Sequence, residues 1–150
     1  MLKGLDPLLT GEVLHVLRSM GHGDDLVVCD ANFPSETVAR QTVWGTPIRM
    51  DGADSARVVR AVLSVMPLDS FVPVAAERME VVGDPVTVPE VQREVQAEID
   101  AAEGRPTPMG GIERFAFYER AKTAYAVLVT GERRFYGCFV LKKGVIPPEA

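Results

Sequence analysis

Residues 21–30 read GHGDDLVVCD: a histidine between two glycines, two aspartates, an apolar run and a final aspartate. The apolar run at residues 26–29 has no polar alternation, which is typical of a strand buried on both faces. In α/β proteins helices cover both faces of the sheet, and polar groups at the carboxyl ends of strands face the ligand crevice. We therefore predict a central strand here, and we expect His22 and Asp30 to share one pocket.

Helices are predicted on both sides of this strand from apolar spacing and capping residues. Thr10 is typical of an N-cap, and Gly21 can provide a left-handed stop. Asp54 can cap a second helix. Thr87 and Glu90 have the spacing of a capping box, which marks a third. The predicted helices cover residues 11–20, residues 55–66, a segment that begins near Thr87, and residues 115–122.

Further strands are predicted from apolar runs between breakers. They cover residues 47–50, 71–79, 125–130 and 136–141, whereas residues 35–44 have no clear pattern and residues 104–111 are typical of a surface loop. The mixture of helices and strands indicates one α/β domain over residues 1–150. We predict a three-layer sandwich with a mixed, largely parallel central sheet.

Composition narrows the classes of partner. The net charge is −5 and the chain has no basic run, which argues against nucleic acid. No run of about eighteen apolar residues or signal-like N-terminus occurs, so neither a membrane-spanning nor a secreted chain is predicted. Cys29 and Cys138 lie in apolar runs, as reduced thiols do in cytoplasmic proteins. Phosphate-binding loops and nucleophile elbows are missing from the sequence, so nucleotide chemistry and covalent catalysis are not predicted.

Polar residues at the strand ends are candidate ligand contacts. His22 has close backbone access on both sides, although a turn histidine at a helix end is an equal alternative. Asp30 can accept hydrogen bonds from the following turn amides, from a ligand hydroxyl, or from both. A metal site of His22, Asp24 and Asp30 is a weaker alternative, because the spacing matches no standard ligand pattern. Tyr136 precedes Gly137, where the backbone can approach a ligand closely; a packed tyrosine is the alternative.

The segment at residues 114–120 mixes charges and aromatic rings. Arg114 and Tyr118 are four apart, so on a helix both side chains face one side and can offer planar donors to a ligand rich in hydroxyls. The alternative is a short amphipathic helix with Phe115 and Phe117 in the core, and we expect this packing for some of these residues.

Four motifs occur in order along the chain: MGHGD at residues 20–24, CDANFP at 29–34, RFAFYERA at 114–121, and TGE at 130–132 followed by YG at 136–137. Together they resemble the ribose pyranase and L-fucose mutarotase family over nearly the whole chain. The FAFYER segment resembles the fucose branch.

This resemblance implies a cofactor-free isomerase that interconverts the α and β anomers of a free monosaccharide, L-fucose or a related pyranose. It implies His22 as proton donor and places Tyr118 in a motif of the fucose-type site. The partner base is then either Tyr118 or an ordered water. The residues that match sugar-binding positions are Asp30, Arg114, Tyr136, Gly137 and Cys138. The family usually has asparagine where this chain has Cys138.

The resemblance also implies a homo-oligomeric ring, commonly a decamer, with sites near subunit contacts. Other readings remain open at this point: a sugar-binding accessory protein without catalysis, an enzyme acting on ribose, and a metal-dependent aldolase or hydrolase.

Overall fold

The computed structural model describes residues 1–149. Helices and strands follow one another as α1 (Gly11–Ser19), β1 (Asp25–Cys29), α2 (Ser35–Ala39), β2 (Ile48–Met50), α3 (Ser55–Leu63), β3 (Ala76–Met79), α4 (Glu90–Glu103), β4 (Gly110–Ile112), α5 (Arg114–Lys122), β5 (Ala126–Thr130) and β6 (Phe139–Lys142). Within residues 1–149, no helix is both long enough and apolar enough to cross a membrane.

The strands form one mixed sheet in the order β2-β5-β1-β6-β3-β4. β1 lies in its interior, parallel to β5 and antiparallel to β6. Side chains of β1 alternate between two cores: Leu26 and Val28 pack with α1, α3 and α4, while Val27 and Cys29 pack with α2 and α5. Burial on both faces explains why the strand lacks polar residues. The predicted α/β sandwich with a mixed sheet is confirmed.

Two of the predicted helix caps are present. The side chain of Thr10 accepts a hydrogen bond from the backbone N–H of Val13, and that of Asp54 accepts one from Arg57 at 2.8 Å. Each bond satisfies an N–H group that the first turn of a helix leaves without a partner.

Two other turn predictions are wrong. Helix α1 ends at Ser19, and its C-cap residue Met20 has an extended backbone with ψ 138°. The left-handed glycine is Gly23, with φ 85°, rather than Gly21. The side chain of Thr87 bonds Asp84 instead of capping α4, which begins after Pro89 without a side-chain cap. A local hydrogen bond within the turn therefore replaces the predicted capping box.

Several element boundaries also differ from the prediction. Helix α2 forms in the segment without a clear pattern, and β4 lies in the predicted loop. The strand predicted at 71–79 is confined to β3, because Pro73 cannot donate to a neighbouring strand. The strand predicted at 136–141 begins only at Phe139, because Tyr136 has a left-handed backbone, with φ 65°.

The strand directions gather the connecting segments at two opposite ends of the strands. β6 is antiparallel to β1 and β3, so it begins where they end. The segments after β1, β3 and β4 and the segment before β6 therefore meet at one edge, which we call the carboxyl edge. The segment before β1 and the segment after β6 lie at the opposite, amino edge, where the backbone N–H of Gly23 bonds the carbonyl of Lys143 at 2.8 Å.

Candidate active site

A pocket of about 290 Å³ opens at the carboxyl edge. It combines a carboxylate, a guanidinium, two phenols and a thiol with an apolar wall. The lining residues are Asp30, Asn32, Phe33, Met79, Arg114, Tyr118, Phe135, Tyr136 and Cys138. They come from the segments that the topology brings together at this edge, so the pocket is a product of the strand order.

Asp30 lies at the base of the pocket and is only 5% exposed. Its Oδ1 accepts the N–H of Asn32 at 3.0 Å, and its Oδ2 accepts the N–H of Gly137 at 3.2 Å and the thiol of Cys138 at 3.3 Å. Burial raises the pKa of Asp30, and these hydrogen bonds oppose the rise. The carboxylate is held in one orientation and retains lone pairs for a ligand hydroxyl. Of the two turn amides expected to bind it, only Asn32 does so, since the N–H of Ala31 bonds Glu132.

Arg114 and Tyr118 lie one turn apart on α5 and face the pocket together. The Nε of Arg114 donates to the hydroxyl of Tyr118 at 2.9 Å, a contact that raises the pKa of Arg114. The expected shared face is present. The expectation that some of these residues pack in the core is confirmed for Phe117, which is fully buried, whereas Phe115 is 65% exposed.

Tyr136 has a positive φ, although it is not a glycine. A left-handed backbone costs an ordinary residue roughly 1–2 kcal/mol, so the surrounding structure must hold it there. This conformation directs the N–H of Gly137 to Asp30. A side chain at Gly137 would lie 2.9 Å from Cγ of Glu132, which explains the glycine at this close approach.

His22 does not lie in this pocket. Its Nε2 is 3.0 Å from Oδ1 of Asp69, its ring packs edge-on against Phe71, and its side chain is 44% exposed. The prediction that His22 and Asp30 share a pocket within one chain is therefore wrong. They lie beyond opposite ends of β1, whose five residues span about 16 Å at 3.3 Å per residue. Asp24 lies at the amino edge with His22, so these three residues do not gather around one ion within a chain.

Asp69 determines which ring nitrogen of His22 acts as the hydrogen-bond donor. A hydrogen bond from the N–H of Phe71, and then the contact with His22, hold the pKa of Asp69 below its usual range. An ionised carboxylate only accepts hydrogen bonds, so Nε2 of His22 carries the hydrogen. Nδ1 is then the ring nitrogen left to exchange a proton with a ligand.

The sequence prediction omitted five residues of this arrangement. Asn32, Phe33, Met79 and Phe135 line the pocket, and Asp69 orients His22. Asn32 and Phe33 follow Asp30 directly, so the rule about strand ends could have included them. Met79 and Asp69 carry no such signal, because only the order of strands in the sheet brings them to their edges.

A pocket with these groups at the edge of an α/β sheet defines a binding protein or enzyme for a small polyhydroxylated ligand. Comparisons with known proteins agree with this class. Fucose mutarotase from Danio rerio is 44% identical over 150 residues, covering 99% of this chain and 97% of its own. The crystal structure of protein Atu2016 has a TM-score of 0.96 and 60% identity, covering 98% of this chain and 97% of that one.

A third relative was solved with a sugar. The fucose mutarotase from Streptococcus pneumoniae in complex with L-fucose has a TM-score of 0.86 and 35% identity, covering 97% of this chain and 100% of its own. The model of the RbsD / FucU transport protein family matches residues 3–146. The chain belongs to this family.

Proposed function

We propose that this protein is an L-fucose mutarotase, an isomerase that interconverts the α and β anomers of the free sugar. The observation that carries the proposal is the pocket around the buried carboxylate of Asp30, in a chain 44% identical to a fucose mutarotase over nearly its full length. Similarity at this identity over the full length supports a shared activity, which a shared fold alone does not.

The pocket lining supports recognition of a pyranose. Asp30 offers acceptor oxygens and Arg114 offers planar donors, a combination suited to neighbouring sugar hydroxyls. Phe33 and Met79 form an apolar wall for the C–H faces of the ring and for a methyl group such as C6 of fucose. The backbone N–H of Gly137 and the thiol of Cys138 hold Asp30 and thereby set its orientation toward the sugar.

The reaction needs two coordinated proton transfers and no change of oxidation state. One group protonates the ring oxygen while another takes the proton from the anomeric hydroxyl, so that the C1–ring oxygen bond breaks and the open-chain aldehyde forms. Rotation about C1–C2 and reclosure then deliver the other anomer. We assign the proton donor to His22 and the partner base to Tyr118, because an imidazole nitrogen can both bind and release a proton and Tyr118 lies in the pocket.

The position of His22 makes this assignment depend on assembly. We propose a cytoplasmic homo-oligomeric ring, a decamer as the family resemblance implies, in which His22 of a second copy reaches the pocket of the first. Exposed rings support such contacts at both edges. Phe135 lines the pocket and is 74% exposed, and Phe115, 65% exposed, packs edge-on against Tyr118 of the pocket. At the other edge Phe71 lies beside His22 and is 72% exposed. Exposed aromatic side chains of this size are typical of interaction surfaces.

Anomer exchange can be measured directly. Saturation-transfer NMR on the anomeric protons of L-fucose, at low protein concentration, is expected to show catalysed exchange. D-ribose, tested under the same conditions, is expected to exchange more slowly. Binding of L-fucose without faster exchange would instead indicate a sugar-binding accessory protein. Faster exchange of D-ribose would make the protein an enzyme acting on ribose.

Cys138 provides a separate test of how Asp30 is held. Cys138→Asn is expected to keep exchange near the wild-type rate, because an amide N–H replaces the thiol as the donor to the carboxylate of Asp30. Cys138→Ala removes the donor and is expected to raise KM more than Cys138→Asn does. Both variants are measured by the same NMR assay.

Cys29→Ala is the matched control for these variants. The thiol of Cys29 is also buried, but it bonds the carbonyl of Leu128 rather than Asp30. Its removal should leave KM unchanged.

A large loss of exchange activity in Cys138→Asn would show that the thiol itself contacts the sugar or the reacting atoms.

A further inference from the structure

Gln92 is a completely buried polar side chain on α4, outside the pocket lining. Its Nε2 donates to the carbonyl of Met79 at 2.7 Å and to the carbonyl of Tyr136 at 3.0 Å. Its Oε1 accepts Nη1 of Arg78 at 3.1 Å. Both amide hydrogens and the amide oxygen are therefore engaged, which fixes the orientation of the side chain.

The two carbonyls that Gln92 binds belong to residues of the sugar pocket. Met79 ends β3, and Tyr136 precedes Gly137, whose N–H binds Asp30. Tyr136 also has the left-handed backbone, a conformation that persists only where neighbouring groups hold it. Gln92 is therefore hydrogen-bonded to the carbonyl of Tyr136, the residue of the site with a strained backbone.

We propose that Gln92 is a positioning residue for the sugar site. It holds the carbonyl of Tyr136 so that the backbone stays left-handed and Gly137 keeps its N–H on Asp30. The consequence for catalysis rests on the proposed mutarotase function. The structural consequence, a change in the Tyr136 backbone, does not.

Arg134 gives the segment before β6 a second anchor on α4. Arg134 donates to Glu132 on its own segment and, with Nη1 and Nη2, to the carboxylate of Glu94 on α4 at 3.0 and 2.7 Å. This paired contact ties the segment to the helix independently of Gln92. Loss of Gln92 should therefore move the Tyr136 peptide without detaching the loop.

Gln92→Met tests the proposal because it conserves volume and removes both donors. The crystal structure of the variant should show Tyr136 outside the left-handed region. The KM for L-fucose should rise about tenfold, with a smaller change in kcat, because two hydrogen bonds that orient the binding site are lost. Gln92→Glu is a second variant: it keeps the shape and the acceptor for Arg78, but as a carboxylate it cannot donate, so the same changes are expected.

Gln96→Met is the matched control. Gln96 lies about one turn further along α4 and makes the same type of contacts, donating to the carbonyl of Thr107 at 2.7 Å and accepting the N–H of Met109 at 2.9 Å. If Gln92 served only stability, Gln92→Met and Gln96→Met would both lower the melting temperature and would have similar KM values. A rise in KM confined to the Gln92 variants supports positioning.

Two results would overturn the proposal: Tyr136 remaining at its present φ in both Gln92 variants, or an equal rise in KM in Gln96→Met. If the wild-type protein shows no exchange of L-fucose, the proposed function fails. The crystal structures of the variants then still decide whether Gln92 holds the Tyr136 backbone.

Discussion

Replacement of His22 by alanine is expected to slow anomer exchange by about 10²- to 10⁴-fold, the range that a positioned acid or base typically contributes. Binding of L-fucose should remain measurable by isothermal titration calorimetry, because the pocket around Asp30 is intact in the same chain. Saturation-transfer NMR measures the exchange rate. Full retained activity would contradict the role of His22 as proton donor.

Mixed oligomers test where His22 acts. His22→Ala and Asp30→Ala chains are each expected to be nearly inactive as homogeneous oligomers. When the two are co-expressed with different tags and purified together, some sites combine an intact His22 from one chain with an intact Asp30 from another. Activity should reappear in these mixed oligomers, because the two groups lie at opposite edges of each chain. If the mixture stays as inactive as its components, the shared site is wrong.

Most of the fold could be predicted from the sequence, because the patterns that mark helices and strands are local. The uninterrupted apolar run of β1 indicates burial on both faces, and Thr10 and Asp54 mark helix starts by hydrogen bonds within one turn. The shared face of Arg114 and Tyr118 follows from helical spacing alone. These features need no knowledge of distant parts of the chain.

The errors arise where distant parts of the chain decide. His22 precedes β1 and Asp30 follows it, so the predicted strand itself separates them. Two residues close in sequence are far apart in space when a strand lies between them. The left-handed backbone of Tyr136 carries no such signal. It depends on Gln92, which lies forty-four positions earlier in the chain. Likewise, Asp69 lies next to His22 only because of the order of the strands in the sheet.

Asp30 is expected to impose a pH dependence on sugar binding. Burial raises its pKa, so as pH falls the carboxylate takes up a proton at a higher pH than an ordinary aspartate would. Above this pKa the ionised oxygens accept sugar hydroxyls and the three donors that orient the group. As pH falls through it, these charge-assisted bonds weaken, and affinity for L-fucose should decline. Calorimetric titrations across the acidic range measure this decline.

Asp30→Asn is the sharper form of the same test. It is expected to weaken L-fucose binding by about 10²-fold, because hydrogen bonds to a charged group contribute roughly 1.5–3 kcal/mol and the sugar loses such an acceptor. The remaining affinity should lose its decline with acidification. Asp84→Asn is the control, since Asp84 is an exposed carboxylate that bonds Thr87 in a turn and does not line the pocket. It should bind as the wild type does, with the pH dependence unchanged. If Asp30→Asn keeps that dependence, another group governs it and Asp30 is not the ionised acceptor of the sugar.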